Sequence, residues 1–310
     1  MKRFKNILVA VDTSALKHDG LRRAVELARH NDAKLKIVDV VREFSWLKHL
    51  TSAKYHELEG RMAEEKRERL QTLADAACDG GPDASIKVLL GRASTEIIRE
   101  VIRDGHDLVM KQAKGESWHK GFFGTTGMHL LRQCPCPVWM TKPGPHKNYN
   151  RVLAAVDAVT QDDAHVQLNT KILELATSFC SLEGSRLDVV QAWSIFGENL
   201  VKSHASPEEF DEIVQANQNR VERLFNDLLA KFDLQVDNEN VHLMRGEPGD
   251  LIPTFANEQE VDLIVMGTVA RGGIAGAVMG NTAELILNKV QCSVLALKLD
   301  DFVCPIQVEV

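Results

Sequence analysis

Residues 266–282, MGTVARGGIAGAVMGNT, set glycines between an apolar run, VDLIV, and a segment of helical spacing, AELILNKV. A turn of this kind at a helix N-terminus leaves backbone N–H groups unpaired at the positive end of the helix dipole, and together these hold phosphate or another anion. Glycine lets the anion approach the backbone. The stretch lacks the lysine of a G-x-x-x-x-G-K-[ST] phosphate loop, so the chemistry it offers is a backbone cradle. A plain surface loop with Gly280 starting the helix fits the same spacing. Asp12 and Asp157 each end an apolar run, where a carboxylate accepts hydrogen bonds from a nucleoside or ties down the following loop.

The elements that carry these residues occur twice. NILVAVDTS at 6–14 returns as RVLAAVDAV at 151–159, AKLKIVDVV as SRLDVVQAW, KVLLGRASTEII as HLMRGEPGDLIP, HDLVMKQ as VDLIVMGT, and CPVWM as CSVLAL, in the same order. Asp12 and Asp157 lie 145 residues apart, Gly91 and Gly246 155, and Gly124 and Gly280 156. The second copy therefore gains about ten residues early, in its first two helical connections. This predicts a duplication with domains at 1–143 and 151–310 and a Pro- and Gly-bearing linker at 144–150.

Within each copy V/I/L-rich runs alternate with helical patterns such as Leu21, Ala24, Leu27 and Ala28. The segment SPEEFDEIV adds Ser206 as an N-cap and Pro207 in the first turn. The alternation predicts an α/β chain of two tandem Rossmann-like domains, each a five-stranded parallel sheet with helices on both faces. In such sheets ligands sit beyond the carboxyl ends of the strands, where the strand order reverses.

Composition excludes several classes. The 310 residues are 44% hydrophobic and 26% charged, with a net charge of −7, which does not suit a protein that coats nucleic acid or an acidic membrane. No apolar run approaches the length of a membrane span and no signal-type core precedes Asp12, so a cytoplasmic protein is expected. Six cysteines without a CxxC pair read as reduced thiols. Cys134 and Cys136, taken as neighbours entering a strand, are expected to face opposite ways and to serve packing rather than a metal. His49, His56, His119 and His129, with Trp46 and Trp118, fall in segments that can approach the open end of the first domain, yet no HxxxH or HExxH spacing occurs and no metal is expected. The charge run EEKRERL is a solvated helix face, and no GxSxG motif is present.

The paired motifs ILVAVDTS and VLAAVDAV, DLIVMGT followed by GNTAE, and CPVWM and CSVLAL resemble the universal stress protein family, in its tandem form, over essentially the whole chain. In ATP-binding members the resemblance implies a motif of glycine, two residues, glycine, nine residues, glycine, then serine or threonine across the phosphates. The strand-one aspartate and the chain after strand two frame the adenine. Carried onto the second copy, it implies a nucleotide site of Asp157, Val190, Gly246, Met266, Gly267, Ala270, Gly280, Asn281 and Thr282, with ATP as the ligand. Ala270 and Asn281 depart from the pattern. In the first copy the matched positions are Lys111, Lys114, Gly124 and Thr125, which with Asp12 imply a site for a small anionic ligand other than ATP.

The resemblance further implies a non-catalytic role in resistance to starvation, DNA damage or oxidative stress. It also implies an internal pseudo-dimer of the two domains, with chain-level dimerisation left open. Slow ATP hydrolysis, for which Arg271 is the basic residue of the stretch, and a scaffold with vestigial pockets remain as alternatives.

Overall fold

The structure is a computed structural model that describes residues 3–42, 52–79, 81–113, 123–144, 148–268 and 279–308. The first half runs β1 (Asn6–Ala10), α1 (Asp19–Asn31), β2 (Lys34–Val41), α2 (Ser52–Cys78), β3 (Ala84–Leu90), α3 (Ala93–Asp104), β4 (Leu108–Gln112), α4 (Gly124–Gln133) and β5 (Val138–Thr141). The second half runs β6 (Arg151–Ala155), α5 (Asp163–Glu183), β7 (Arg186–Trp193), α6 (Glu198–His204), α7 (Pro207–Leu229), a 3-10 turn (Ala230–Phe232), β8 (Val241–Arg245), α8 (Pro248–Glu258), β9 (Leu263–Gly267), α9 (Asn281–Lys289) and β10 (Ser293–Leu297). The chain forms two compact units, one holding β1–β5 and the other β6–β10; the segment from Phe302 onward belongs to the first. There Cys304 Sγ donates to the Gln133 carbonyl at 3.2 Å, and the Arg99 guanidinium reaches the Gln307 carbonyl at 3.3 Å.

Central strands are enclosed almost completely: Ile7, Leu8 and Val9 are 0, 0 and 1% exposed. Runs this apolar need cover on both sheet faces, which suits parallel strands joined by helices. Each half is parallel, in the order β3-β2-β1-β4-β5 and, by sequence equivalence, β8-β7-β6-β9-β10. Right-handed crossovers then place α1 and α2, which pack on each other, on one face and α3 and α4 on the other. The order reverses between β1 and β4, and between β6 and β9. The doubly wound α/β architecture expected from the alternation is present in both halves.

The extra residues of the second half fall where the repeat offsets put them. Asn6 pairs with Lys34 and Arg151 with Arg186, so most of the surplus lies between the first two strands, where α5 has 21 residues against 13 in α1. From α2 onward the register is steady: Leu70 and Phe225, which lie 155 apart like Gly91 and Gly246, are both 0% exposed.

The head of α7 is built as its sequence demands. Ser206 Oγ accepts the Glu209 N–H at 3.2 Å, and the Glu209 carboxylate accepts the Ser206 N–H at 2.8 Å. These satisfy two of the unpaired groups of a helix start. Ser206→Ala is expected to cost about 1 kcal/mol in urea unfolding, with no effect on ligand binding.

Each half also buries one carboxylate among cations. Glu100, its side chain 0% exposed, takes Lys36 at 2.9 Å, Lys87 at 2.8 Å and Arg103 at 3.0 Å. Asp188, equally enclosed, takes Arg151 Nε at 2.7 Å and lies 2.8 Å from His242 Nε2. Burial pushes the Glu100 carboxyl up, but the hydrogen bonds from Lys87 and Lys36 outweigh it and hold it below its ordinary value. At Asp188 burial acts the same way and is overcome by His242 and Arg151, leaving its pKa at about 2.

Cys134 and Cys136 depart from the expected geometry. Cys134 is the C-cap of α4 and Cys136 precedes β5, so strand alternation does not govern them. Their sulfurs approach to 3.6 Å in the core, where the hydrogen bond with the Cys134 thiol, and then burial, push the Cys136 pKa upward.

Candidate ligand site

The switch between β1 and β4 opens into a cavity of about 840 Å³, a size that suits a nucleotide-class small molecule. Its floor is made by the carboxyl ends of three strands: Ala10 to Asp12, Asp39 to Arg42, and Lys111 with Gln112. Its walls are the starts of α3 (Arg92, Ala93, Ser94) and α4 (Phe123 to Thr126), with Met62 and Lys66 from α2. Gly91 turns the chain from β3 into α3 at φ +126°, a conformation that excludes a side chain without strain.

The charges in this cavity are organised. Asp39, 4% exposed, accepts Thr13 N–H at 2.9 Å, Thr13 Oγ1 at 2.6 Å and Lys66 Nζ at 2.6 Å. The Asp12 carboxylate accepts Ser14 N–H at 3.1 Å, so it caps the loop that follows β1. Arg92 donates to His129 Nε2 at 3.0 Å; burial first, then the charges of Arg92 and Arg132, hold the His129 imidazole below its ordinary pKa. Arg42, Lys66, Arg92 and Lys111 thus face two carboxylates, one of them neutralised by Lys66. Neither α3 nor α4 has a side-chain cap, so both present open N–H groups at their starts.

The equivalent positions of the second half differ in kind. Gln191 stands for Asp39, and its Oε1 accepts the Ala158 N–H at 2.6 Å as Asp39 accepts Thr13. Val221 stands for Lys66 and Trp193 for Val41. Trp193, Ile195 and Val221 form a buried cluster with Val159, Val214 and Leu243 packed against it. The loop after β6 is latched by Asn169, which accepts the Asp157 N–H at 3.0 Å and donates to its carbonyl at 2.8 Å, while Thr160 donates to the Asp157 carboxylate at 2.9 Å.

The universal stress protein family profile matches residues 3–142 and again 148–298. The chain belongs to the universal stress protein family. It is 30% identical to universal stress protein E of Escherichia coli K12 over 100% of this chain and 98% of that one. A Pseudomonas aeruginosa UCBPP-PA14 protein assigned to the same family superposes with a TM-score of 0.72 at 27% identity, covering 97% of this chain and 95% of that one. An Archaeoglobus fulgidus universal stress protein shares the fold at a TM-score of 0.63 and 17% identity, over 94% and 98% of the two chains.

Within this universal stress protein, Asp12, Lys111, Gly124 and Thr125 all line the one cavity described above, while Lys114 lies outside the described residues. One correspondence drawn from the motif is corrected by strand register. Ala10 pairs with Lys111 and Ala155 with Met266, so Lys111 occupies the place of Met266 and Gln112 that of Gly267. Gln112 accepts the Gly20 N–H at 2.7 Å, which binds β4 to α1. The two alignments differ because Gly124 follows Gln112 by 12 positions whereas Gly280 follows Gly267 by 13.

In the second half Val190 and Met266 are core residues, 0 and 3% exposed, and Gly246 repeats the turn of Gly91 at φ +142°. A Cβ on Gly267 would stand 2.8 Å from Leu168, so that glycine admits the close packing of α5. Gly280 is the buried N-cap of α9, followed by exposed Asn281 and Thr282, whereas Ala270 and Arg271 lie outside the described residues. Of the histidines, His129 reaches the cavity, His56 is exposed beside Glu59, and His49 and His119, like Trp46 and Trp118, are outside the described residues. Asp39, Lys66, Arg92 and Ser94 were missed from sequence. The signal for the first was a carboxylate inside the apolar run KIVDVV, which requires a buried partner. Among the described residues no group of three or more His, Cys, Asp or Glu is placed to hold a metal, and no helix is long and apolar enough to cross a membrane.

Proposed function

We propose that this universal stress protein is a non-catalytic, cytoplasmic ligand-binding protein acting in stress resistance, and that its first half takes one nucleotide-class anion per chain. The observation that carries this reading is the asymmetry between the halves. The first has an open cavity lined by Asp39, Val41 and Lys66; the second has Gln191, Trp193 and Val221 at the same positions, the last two in an apolar cluster. A binding role fits the cavity better than hydrolysis. Asp39 is committed to Lys66 and Thr13, and Asp12 to Ser14, which leaves neither poised as a general base. Binding regulates through whatever contacts the bound state alone offers to partners.

A second reading, ATP in the second half, is favoured by the start of α9, where no side chain caps the helix behind Gly280. Calorimetric titration of the full chain with ATP and with AMP separates the two. One site per chain is expected, abolished in the double variant Asp39→Gln, Lys66→Val, which gives the first half the residues of the second, and retained in Gly280→Val. Loss in Gly280→Val with retention in the double variant would move the ligand to the second half. No heat from any nucleotide in the wild type would leave the chain as a scaffold.

A further inference from the structure

The wall opposite Lys66 has features that a nucleobase or ribose does not call for. Ser94, on the first turn of α3, is 4% exposed and lines the cavity. A hydroxyl at the cavity lining can both donate to and accept from a ligand atom. Beside it the Arg92 guanidinium, which only donates, is spent on a ring nitrogen of His129. That pairing fixes Nε2 as an acceptor and the ring as neutral. An arginine whose partner is a neutral imidazole is available to an oxyanion, which forms a stronger charge-assisted bond. The starts of α3 and α4 both face this corner, and the one acid in the first turn of α3, Glu96, is held by Arg99 at 2.7 Å.

We propose that Arg92, His129 and Ser94 form a subsite for a terminal phosphate, a phosphomonoester dianion rather than a diester. The inference rests on the nucleotide reading above and names the part of the ligand this corner selects. On binding, Arg92 leaves Nε2 for a phosphate oxygen. The vacated Nε2 takes a proton from solvent and donates to a second oxygen, while Ser94 Oγ and the open N–H groups of α3 serve the third. A monoester has three terminal oxygens and two charges for this set; a cyclic diester has two free oxygens and one charge.

Burial first, then Arg92 at the head of α3 and Arg132 on its own helix, lower the pKa of His129, against a hydrogen bond with Gln133; Lys111 and Asp12 line the same cavity, and β5, packed beneath α4, brings no charged group. Arg92 and Arg132 oppose protonation in the empty site, and a dianion reverses the local sign. Ligand binding therefore takes up roughly one proton at His129 near neutral pH.

The test is calorimetry on the full chain with AMP, cyclic AMP and inorganic phosphate, in buffers of different ionisation enthalpy, for wild type, Arg92→Gln and His129→Gln, each checked by thermal melting. AMP is expected to bind on the order of tenfold to a hundredfold tighter than cyclic AMP. Both variants should erase that preference by weakening AMP more than cyclic AMP. Wild type should take up more protons than His129→Gln, and that difference cancels the protonation of AMP itself. Equal affinity for AMP and cyclic AMP overturns the subsite and leaves the nucleotide reading standing, as does an equal loss of both ligands in the variants. If neither nucleotide binds, phosphate that binds wild type but not Arg92→Gln keeps the subsite and removes the nucleotide reading. Phosphate that fails to bind removes both.

Discussion

Trp193→Ala is expected to lower unfolding stability by about 3–5 kcal/mol, the usual cost of emptying a large buried aromatic site. Trp193 is 5% exposed, is the largest member of the cluster with Ile195 and Val221, and carries the Arg245 guanidinium 5.9 Å from its ring centroid. Removing it loses the dispersion contacts of that cluster and one of the two aromatic faces beside Arg245, and Val159, Val214 and Leu243 can close the gap only in part. The nucleotide affinity of the first half should stay within twofold of wild type, because none of these residues belongs to its cavity. Urea unfolding monitored by far-UV circular dichroism, beside the calorimetric titration, tests both halves of the statement. A stability loss below 1 kcal/mol would mean that the cluster is loosely packed. A parallel loss of ligand affinity would mean that the ligand lies in the second half.

The second large effect is electrostatic and depends on pH. Asp188→Asn reproduces the shape of the protonated acid, so it measures what the charge contributes. The folded pKa of about 2 lies below the ordinary 3.8, and that gap corresponds to about 2 kcal/mol in favour of the native state. For a depressed acid this contribution is complete above pH 3.8 and disappears as the pH falls toward 2. Asp188→Asn should therefore be about 2 kcal/mol less stable than wild type at pH 7, and the difference should narrow as urea unfolding is repeated from pH 5 down to pH 3. A gap that stays constant through that range would assign the loss to altered hydrogen bonding with Arg151 and His242 rather than to charge.

The fold was legible because its signals are redundant. Apolar runs, their alternation with helical spacing, and the repetition of both in one order lead to the same doubly wound sheet, and Ser206 with Pro207 marks the start of α7 to the residue. The candidate site was less legible, for two physical reasons. A cavity is assembled by side chains from separate elements, and nothing in the local sequence ties Lys66 on α2 to Asp39 on β2 or Arg92 to His129. The glycine motif also drew attention to backbone permissiveness, whereas the contrast between the halves lies in side-chain polarity at Asp39 and Gln191, Lys66 and Val221. Aligning the copies from the helix-side glycines put Lys111 opposite Gly267; hydrogen-bond register, which sequence does not carry, puts Gln112 there.

The loop after the first strand is latched in both halves from the same strand position, once by Asp39 and once by Gln191. The amide performs the holding task without the desolvation burden of a buried charge, so folding alone sets no requirement for the carboxylate or its lysine. The second half makes the same latch with a neutral amide beside an apolar cluster, so the charged pair of the first half is surplus to the holding task. Twin domains of this kind set out, in a single chain, which side chains the shape requires and which it does not.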